Sequence, residues 1–191
     1  MAHVDGRTRC DWATSAPEYV AYHDDEWGRP LRGDREMFER MSLEAFQSGL
    51  SWLTILRKRD AFRAAFDGFD QQLVAVYDEF DVARLLADAS IVRNRSKVEA
   101  TIHNARVITE MDESLSDLLW SFTPESGTTA APRSVSDVPA ITPESTAMAK
   151  ALKKRGFRFV GPTTAYALMQ ATGMVNDHLE DCWVRGLVNS A

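Results

Sequence analysis

Residues 153–173, KKRGFRFVGPTTAYALMQATG, decide how this chain folds. A helix that begins at Thr142-Pro143-Glu144 runs to Arg155, and Gly156 ends it. Phe157-Arg158-Phe159-Val160 leaves room only for a tight connector. Gly161-Pro162 then starts a second helix with proline at its first position, where a missing N–H costs nothing. That helix runs to about Thr172, and Gly173 ends it. The spacing therefore predicts two helices joined by a hairpin over about 144–173. The N–H groups at the start of the second helix, around Gly161, face outward, and Lys153, Lys154, Arg155 and Arg158 add positive charge. Both features suit a phosphate, although an ordinary helical hairpin has the same glycine spacing.

Helical periodicity extends upstream from the hairpin. Met37, Phe38, Met41 and Phe46 suit one helix, and Leu53, Leu56, Phe62 and Phe66 the next. Gly49 lets the backbone bend within the mostly apolar run LEAFQSGLSWLTILRKR at 43–59. Gly68 fits a helix stop, Asp70 an N-cap for the segment to Tyr77, and 81–86 a short helix. The run IVRNRSK at 91–97 leads into a helix ending near Glu110. Strand signals are weak throughout, so the expected fold is all-α, a single domain over 1–191. The stretch 123–145 holds four of the seven prolines and reads as a long loop without chemistry.

Composition narrows the partners. A chain of 191 residues, 45% hydrophobic and 26% charged, is long enough for a sizeable core. The first ten residues lack the apolar run of a signal peptide, and no later run spans a bilayer, so a cytoplasmic protein without a membrane partner is expected. Two cysteines in a reducing compartment argue against a disulfide. A net charge of −6 argues against nucleic acid on its face, yet the cations are clustered. Arg93, Arg95 and Lys97 sit at a helix start, where they oppose the dipole and a negatively charged partner would offset that cost. A solvated charged face would look the same.

Three groups carry candidate chemistry. Glu44, with Gln47 and Ser48 on its helix face, either lines a pocket and accepts a ligand's N–H groups or faces solvent on an amphipathic helix. The aromatic-rich segment with Trp12, Tyr19, Tyr22 and Trp27 packs a core or walls a site for a flat ligand. His178 and Cys182, four apart on what would be one helix face, and Cys10 and His23 upstream offer two pairs of metal ligands. A Cys2His2 zinc held by all four would join the N- and C-terminal segments and leave no open position, so it would be structural; two plain buried thiols are the other reading. His3 and His103 stay outside such a clamp.

Taken together, CDW at 10–12, YHDDEWG at 22–28, the run at 43–59, IVRNRSKVEATIHNA at 91–105 and KKRGFRFVGPTTAYALMQATGMVNDH at 153–178 resemble the 3-methyladenine DNA glycosylase I family. The resemblance extends from Cys10 to Cys182. It implies an all-helical member of the helix-hairpin-helix glycosylases that extrudes 3-methyladenine from double-stranded alkylated DNA and excises it by hydrolysis, acting as a monomer. By motif it places one structural Zn2+ on Cys10, His23, His178 and Cys182, and the base-recognising carboxylate on Glu44. The pocket aromatics fall on Tyr22 and Trp52, with Trp12 and Trp27 completing the wall. The wedge that fills the gap left by the extruded base falls on Leu50, helped by Gln47. Beside the resemblance, the hairpin and the basic cluster read above assign phosphate contacts to Arg93, Arg95, Lys97, Lys154, Arg158 and Gly161. Bifunctional relatives carry a lysine just after the hairpin; Thr163 stands there, which argues against lyase chemistry. The superfamily's V-D-x-H aspartate is either lost or displaced by one residue in Val175-Asn176-Asp177-His178; the sequence assigns no residue to activate water, and Asp177 is one option. Ala45 stands where the family motif has glycine. Two alternatives remain: a zinc-stapled DNA-binding relative with little excision activity, or a glycosylase of shifted base preference.

Overall fold

The structure, a computed structural model, describes residues 5–125 and 130–188. His3 lies outside them. Among the described residues no strand occurs. The α-helices in chain order are α1 (Pro17–Asp25), α2 (Asp34–Gln47), α3 (Trp52–Ala65), α4 (Gln71–Ala75), α5 (Glu79–Ala87), α6 (Arg95–Thr109), α7 (Leu115–Trp120), α8 (Pro143–Lys154) and α9 (Pro162–Ala171). No described helix is long and apolar enough to cross a membrane.

The helix α2 is the hub, packing on α3, α6, α7 and α9. Its sequence explains why: Met37, Phe38, Met41, Leu43, Ala45 and Phe46 point all round the axis and are all buried. From Met37 to Phe46 the helix is buried on nearly every side, so this stretch runs through the interior. Arg40, Ser42 and Glu44 are buried within it as polar exceptions. After Gln47 the chain turns sharply, with Gly49 at φ +83° and Leu50 N–H returning to Gln47 O at 2.7 Å. Ser51 then caps α3 by accepting from Thr54 N–H. The core closes around Phe38, Phe46, Phe62, Phe66 and Phe69. A smaller cluster gathers Cys10, Leu179, Cys182, Val184 and Val188 beside Trp12, Trp27 and Trp183.

Element boundaries differ from the sequence reading where side chains cap backbone. The helix α5 starts two residues before Asp81, because Asp78 and Asp81 form a reciprocal capping box. Gly68 sits at φ +64° in a 3-10 turn beyond the end of α3, so it serves that turn rather than the helix stop. Within 123–145, residues 126–129 lie outside the description; Val135–Asp137 form a 3-10 turn, and Pro132 O accepts from Glu180 N–H at 2.8 Å.

The hairpin between α8 and α9 is held from below by α6. Asn104 both donates to Arg158 O (3.0 Å) and accepts from Arg158 N–H (2.8 Å), and His103 bonds Gly156 O at 2.9 Å. His103, set aside in the sequence reading, thus has a structural task. Phe159 occupies the left-handed region at φ +56°, a strained place for a bulky residue, and is 41% exposed. Gly161 is the N-cap of α9 and brings no side-chain cap to its N–H groups.

Candidate functional site: an aromatic pocket beside a Cys/His cluster

Trp12, Tyr19, Tyr22, Trp27, Glu44, Gln47, Trp52, Ala167 and Gln170 line one cavity of about 250 Å³. Segments 12–27, α2, α3 and α9 each contribute a wall. Glu44 is only 5% exposed, so the solvent-facing reading is overturned. No hydrogen bond to its carboxylate is found among the described residues, and burial pushes its carboxyl up to about 7, with the Arg40 charge pulling the other way. Trp52 likewise has a buried Nε1–H without a partner. The ring of Trp12 meets Tyr19, Tyr22 and Trp27 at 5.5, 6.4 and 5.1 Å, and Tyr22 meets Trp52 at 5.5 Å. An aromatic slot with an unpaired carboxylate at its edge is built for a flat ligand that carries N–H donors or positive charge.

The second group lies against the pocket's back wall. Ligand atoms of Cys10, His23, His178 and Cys182 all lie within 4.8 Å of one another, and all four residues are buried. His23 Nδ1 bonds Asp24 Oδ1 at 2.8 Å, and Arg9 clamps Asp24 in turn. His178 Nε2 bonds Trp27 O at 3.1 Å. Each imidazole is therefore anchored outward by one nitrogen and offers the other inward, the usual arrangement behind a metal ligand. Cys182 Sγ lies 3.4 Å from His23 Nε2 and 3.6 Å from His178 Nδ1, and Cys10 Sγ 3.8 Å from His178 Nδ1. Zinc bonds of ~2.3 Å to sulfur and ~2.0–2.1 Å to nitrogen give tetrahedral S···N edges of about 3.5 Å, so the donor set fits that ion. The neighbouring Cys10 thiol holds Cys182 well below the usual thiol range, against burial and with help from both histidines, and Cys10 is pushed up in turn. Gly28 is required here: at φ +77°, a Cβ would stand 2.9 Å from His178 Nε2.

Residues 178–182 form turns rather than the expected helix. Arg185 Nη1 donates to the carbonyls of Asn176 and His178, and the Asn176 amide donates to those of Arg185 and Val188, which ties the segment down as a turn. His178 and Cys182 still converge, through the turn instead of a helix face.

The family model for methyladenine glycosylase matches residues 12–185. The chain belongs to the methyladenine glycosylase family. It is 46% identical over 177 residues to DNA-3-methyladenine glycosylase 1 of Escherichia coli (strain K12), across 91% of this chain and 95% of that one. It is similar to a crystal structure of 3-methyladenine DNA glycosylase I, with a TM-score of 0.88, 47% identity and coverage of 92% and 98%. A variant of 3-methyladenine DNA glycosylase I in complex with 3-methyladenine is also similar, with a TM-score of 0.86, 34% identity and coverage of 93% and 97%.

In this member of the family, Leu50 stands 40% exposed at the tip of the α2–α3 turn, and Gln47 Nε2 donates to its carbonyl at 3.2 Å. Lys97 is a correction. It is 7% exposed, and its Nζ donates to Phe46 O (2.8 Å) and Ser48 O (2.7 Å), so it satisfies the C-terminal carbonyls of α2 and has no reach to a phosphate. It fixes the turn that carries Leu50. Arg155 is likewise committed, to Glu113 at 2.6 Å. Arg95 is exposed and faces Glu79 and Glu99 at 3.6 and 3.2 Å. Arg93, Lys153, Lys154 and Arg158 are exposed, and none has an ion pair among the described residues. Asp177 is not part of the cavity lining; its Oδ2 accepts from Tyr166 Oη (2.7 Å) and from the lining residue Gln170 (2.8 Å). Sequence reasoning missed Gln170 and Arg40 as parts of the site. Arg40 is one turn before Glu44 on the same helix face, a spacing that could have revealed it.

Proposed function

We propose that this chain is a monofunctional DNA glycosylase that takes 3-methyladenine out of alkylated double-stranded DNA and hydrolyses its N-glycosidic bond. The observation that carries this is the unpaired, buried Glu44 carboxylate at the edge of an aromatic slot, in a chain of this family. N3-alkylation makes the nucleobase cationic, so it departs as a neutral base without being protonated first. The protein then needs to extrude the nucleotide, fill the gap and hold the base. Leu50, exposed at its turn, suits the wedge, and Gln47 steadies it. Trp12, Tyr22, Trp27 and Trp52 suit the faces of the base, and Glu44 suits its N–H groups and charge. Thr163 in place of a lysine supports hydrolysis without a lyase step. Asp177, behind Gln170, is placed to act on the cavity only through that side chain or a water.

Backbone N–H groups beyond Gly161, with Lys154, Arg158, Arg93 and Arg95, supply the phosphate grip of a helix-hairpin-helix. Cys10, His23, His178 and Cys182 would hold one zinc. With four protein ligands it would supply stability and no chemistry of its own. Two buried cysteines without a disulfide suit the cytoplasm.

The test is incubation with methylated DNA and identification of the released bases. Free 3-methyladenine is the expected product. Binding without release would make the chain a DNA-binding relative, and release of other alkylated bases instead would mean a shifted preference.

A further inference from the structure

Arg40 carries a charge that the fold nearly buries. Its side chain is 9% exposed, on α2, one turn before Glu44. Its Nη1 donates to Tyr22 Oη at 2.8 Å, and its guanidinium lies 5.4 Å from the Tyr22 ring centroid and 5.5 Å from that of Trp52. Its Nη2 is 3.8 Å from Glu26, which Arg59 holds with two bonds of 2.5 and 2.8 Å. A relay from Arg59 through Glu26 and Arg40 thus ends on a phenol of the pocket wall.

The chemistry of the last link is directional. A guanidinium only donates, so the Tyr22 oxygen accepts from Arg40 and the phenol's own proton is left to point elsewhere. The same guanidinium is the cation that acts on Glu44. Around that carboxylate α2 brings Arg40, α1 brings Tyr22 with Glu26 behind it, α3 brings Trp52 with Arg59 beyond Glu26, and α9 brings the neutral Ala167 and Gln170.

We infer that Arg40 is a specificity-setting positioning residue: it fixes Tyr22 as a hydrogen-bond donor into the base pocket and sets a positive charge one helical turn from Glu44. This rests on reading the pocket as a 3-methyladenine site. With Arg40 removed, the Tyr22 oxygen becomes one more acceptor facing the base, and Glu44 ionises only at higher pH.

The test is the affinity for free 3-methyladenine as a function of pH, for wild type, Arg40→Met, Arg40→Lys, Tyr22→Phe and the Arg40→Met/Tyr22→Phe double variant. Arg40→Met should bind about tenfold more weakly at neutral pH, the size of a charge-assisted hydrogen bond. The pH midpoint of its binding should move up. Arg40→Lys, which keeps charge and donor, should hold the midpoint in place. Above the midpoint, Arg40→Met should cost affinity with Tyr22 present and none in the Tyr22→Phe background. Titration of the ligand itself is common to all variants and cancels. If Arg40→Met does not fold, Arg40→Gln carries the test, since it lacks the charge and its midpoint must also rise. Equal losses in both backgrounds overturn the inference, as does an unmoved midpoint; either would make Arg40 mere packing. A wild type that binds no 3-methyladenine overturns this inference together with the pocket reading, whereas a binding wild type with an indifferent Arg40→Met overturns the inference alone.

Discussion

The Cys/His cluster and the base pocket share Trp12 and Trp27 as a common wall, and both bury polar groups, yet they treat those groups in opposite ways. In the cluster each outer polar atom has found a partner: Asp24 for His23, the Trp27 carbonyl for His178, and the Leu179 N–H for Cys10. In the pocket the Glu44 carboxylate and the Trp52 N–H are left open. Burial without a partner costs free energy, so an unpartnered group lining a cavity is one a ligand can satisfy. A closed set of donors holds structure, and an open set waits for a ligand.

The contrast breaks most visibly at Cys182. Cys182→Ala should lower the melting temperature by on the order of 10 °C, because a metal that binds only the folded state contributes folding free energy. The fraction that stays folded should keep its affinity for 3-methyladenine. Metal analysis of protein purified without a histidine tag should find one zinc per chain; a zinc-free preparation of unchanged stability would sink that half of the comparison.

Glu44→Gln should do the reverse. Losing the charge should weaken 3-methyladenine binding and the discrimination against adenine by roughly ten- to a hundredfold. The melting temperature should hold or rise, since an unpaired buried carboxylate burdens the fold. The pH dependence has a definite sign. Burial raises Glu44 to about 7 in the folded chain, above the unfolded value of ~4.3, so its contribution to stability is complete below the lower value and is lost as pH rises towards the upper one. Glu44→Gln should remove that loss from the stability–pH curve. A destabilised Glu44→Gln that still binds normally would turn the open set into a closed one.

The smallest effects separate two lysines that look alike in sequence. Lys97→Met should cost about 1–3 kcal/mol in urea unfolding, because it strands the carbonyls of Phe46 and Ser48. Its effect on the salt dependence of DNA binding should be nil. Lys154→Ala should leave unfolding unchanged and reduce the salt slope by about one unit, equally for all duplex sequences. Exchanged outcomes would reverse the assignment made from their burial.

That pair also shows how far the chain could be read beforehand. Helix positions followed from apolar spacing and from starts such as Asp70 and Thr142, which are local signals. The hairpin was legible for the same reason, through Gly156, Gly161 and Pro162. Whether a charged residue faces water or a carbonyl 49 residues away depends on packing, and nothing near Lys97 announces it. Glu44 was ambiguous because a polar face of α2 carrying Arg40, Glu44 and Gln47 reads the same whether it opens on water or on a cavity. Convergence of Cys10 and His23 with His178 and Cys182 could be suggested by residue type, but the turn at 178–182 depends on Asn176 and Arg185, whose bonds to distant carbonyls carry no spacing signature.

Cys10 and His178 meet at 3.8 Å across 168 residues of chain. Closing so long a loop comes late in folding, since its entropy is spent before its contacts return anything. Synthesis adds a delay of its own. Glu44 and Trp52 are made about 130 residues before Cys182, which at ~5–20 residues per second is roughly 7–26 s of translation. Through that interval the nascent chain carries the carboxylate and one aromatic face of its pocket without the contacts that brace Trp12 and Trp27. The brace behind the slot for the base therefore has an earliest time set by the ribosome.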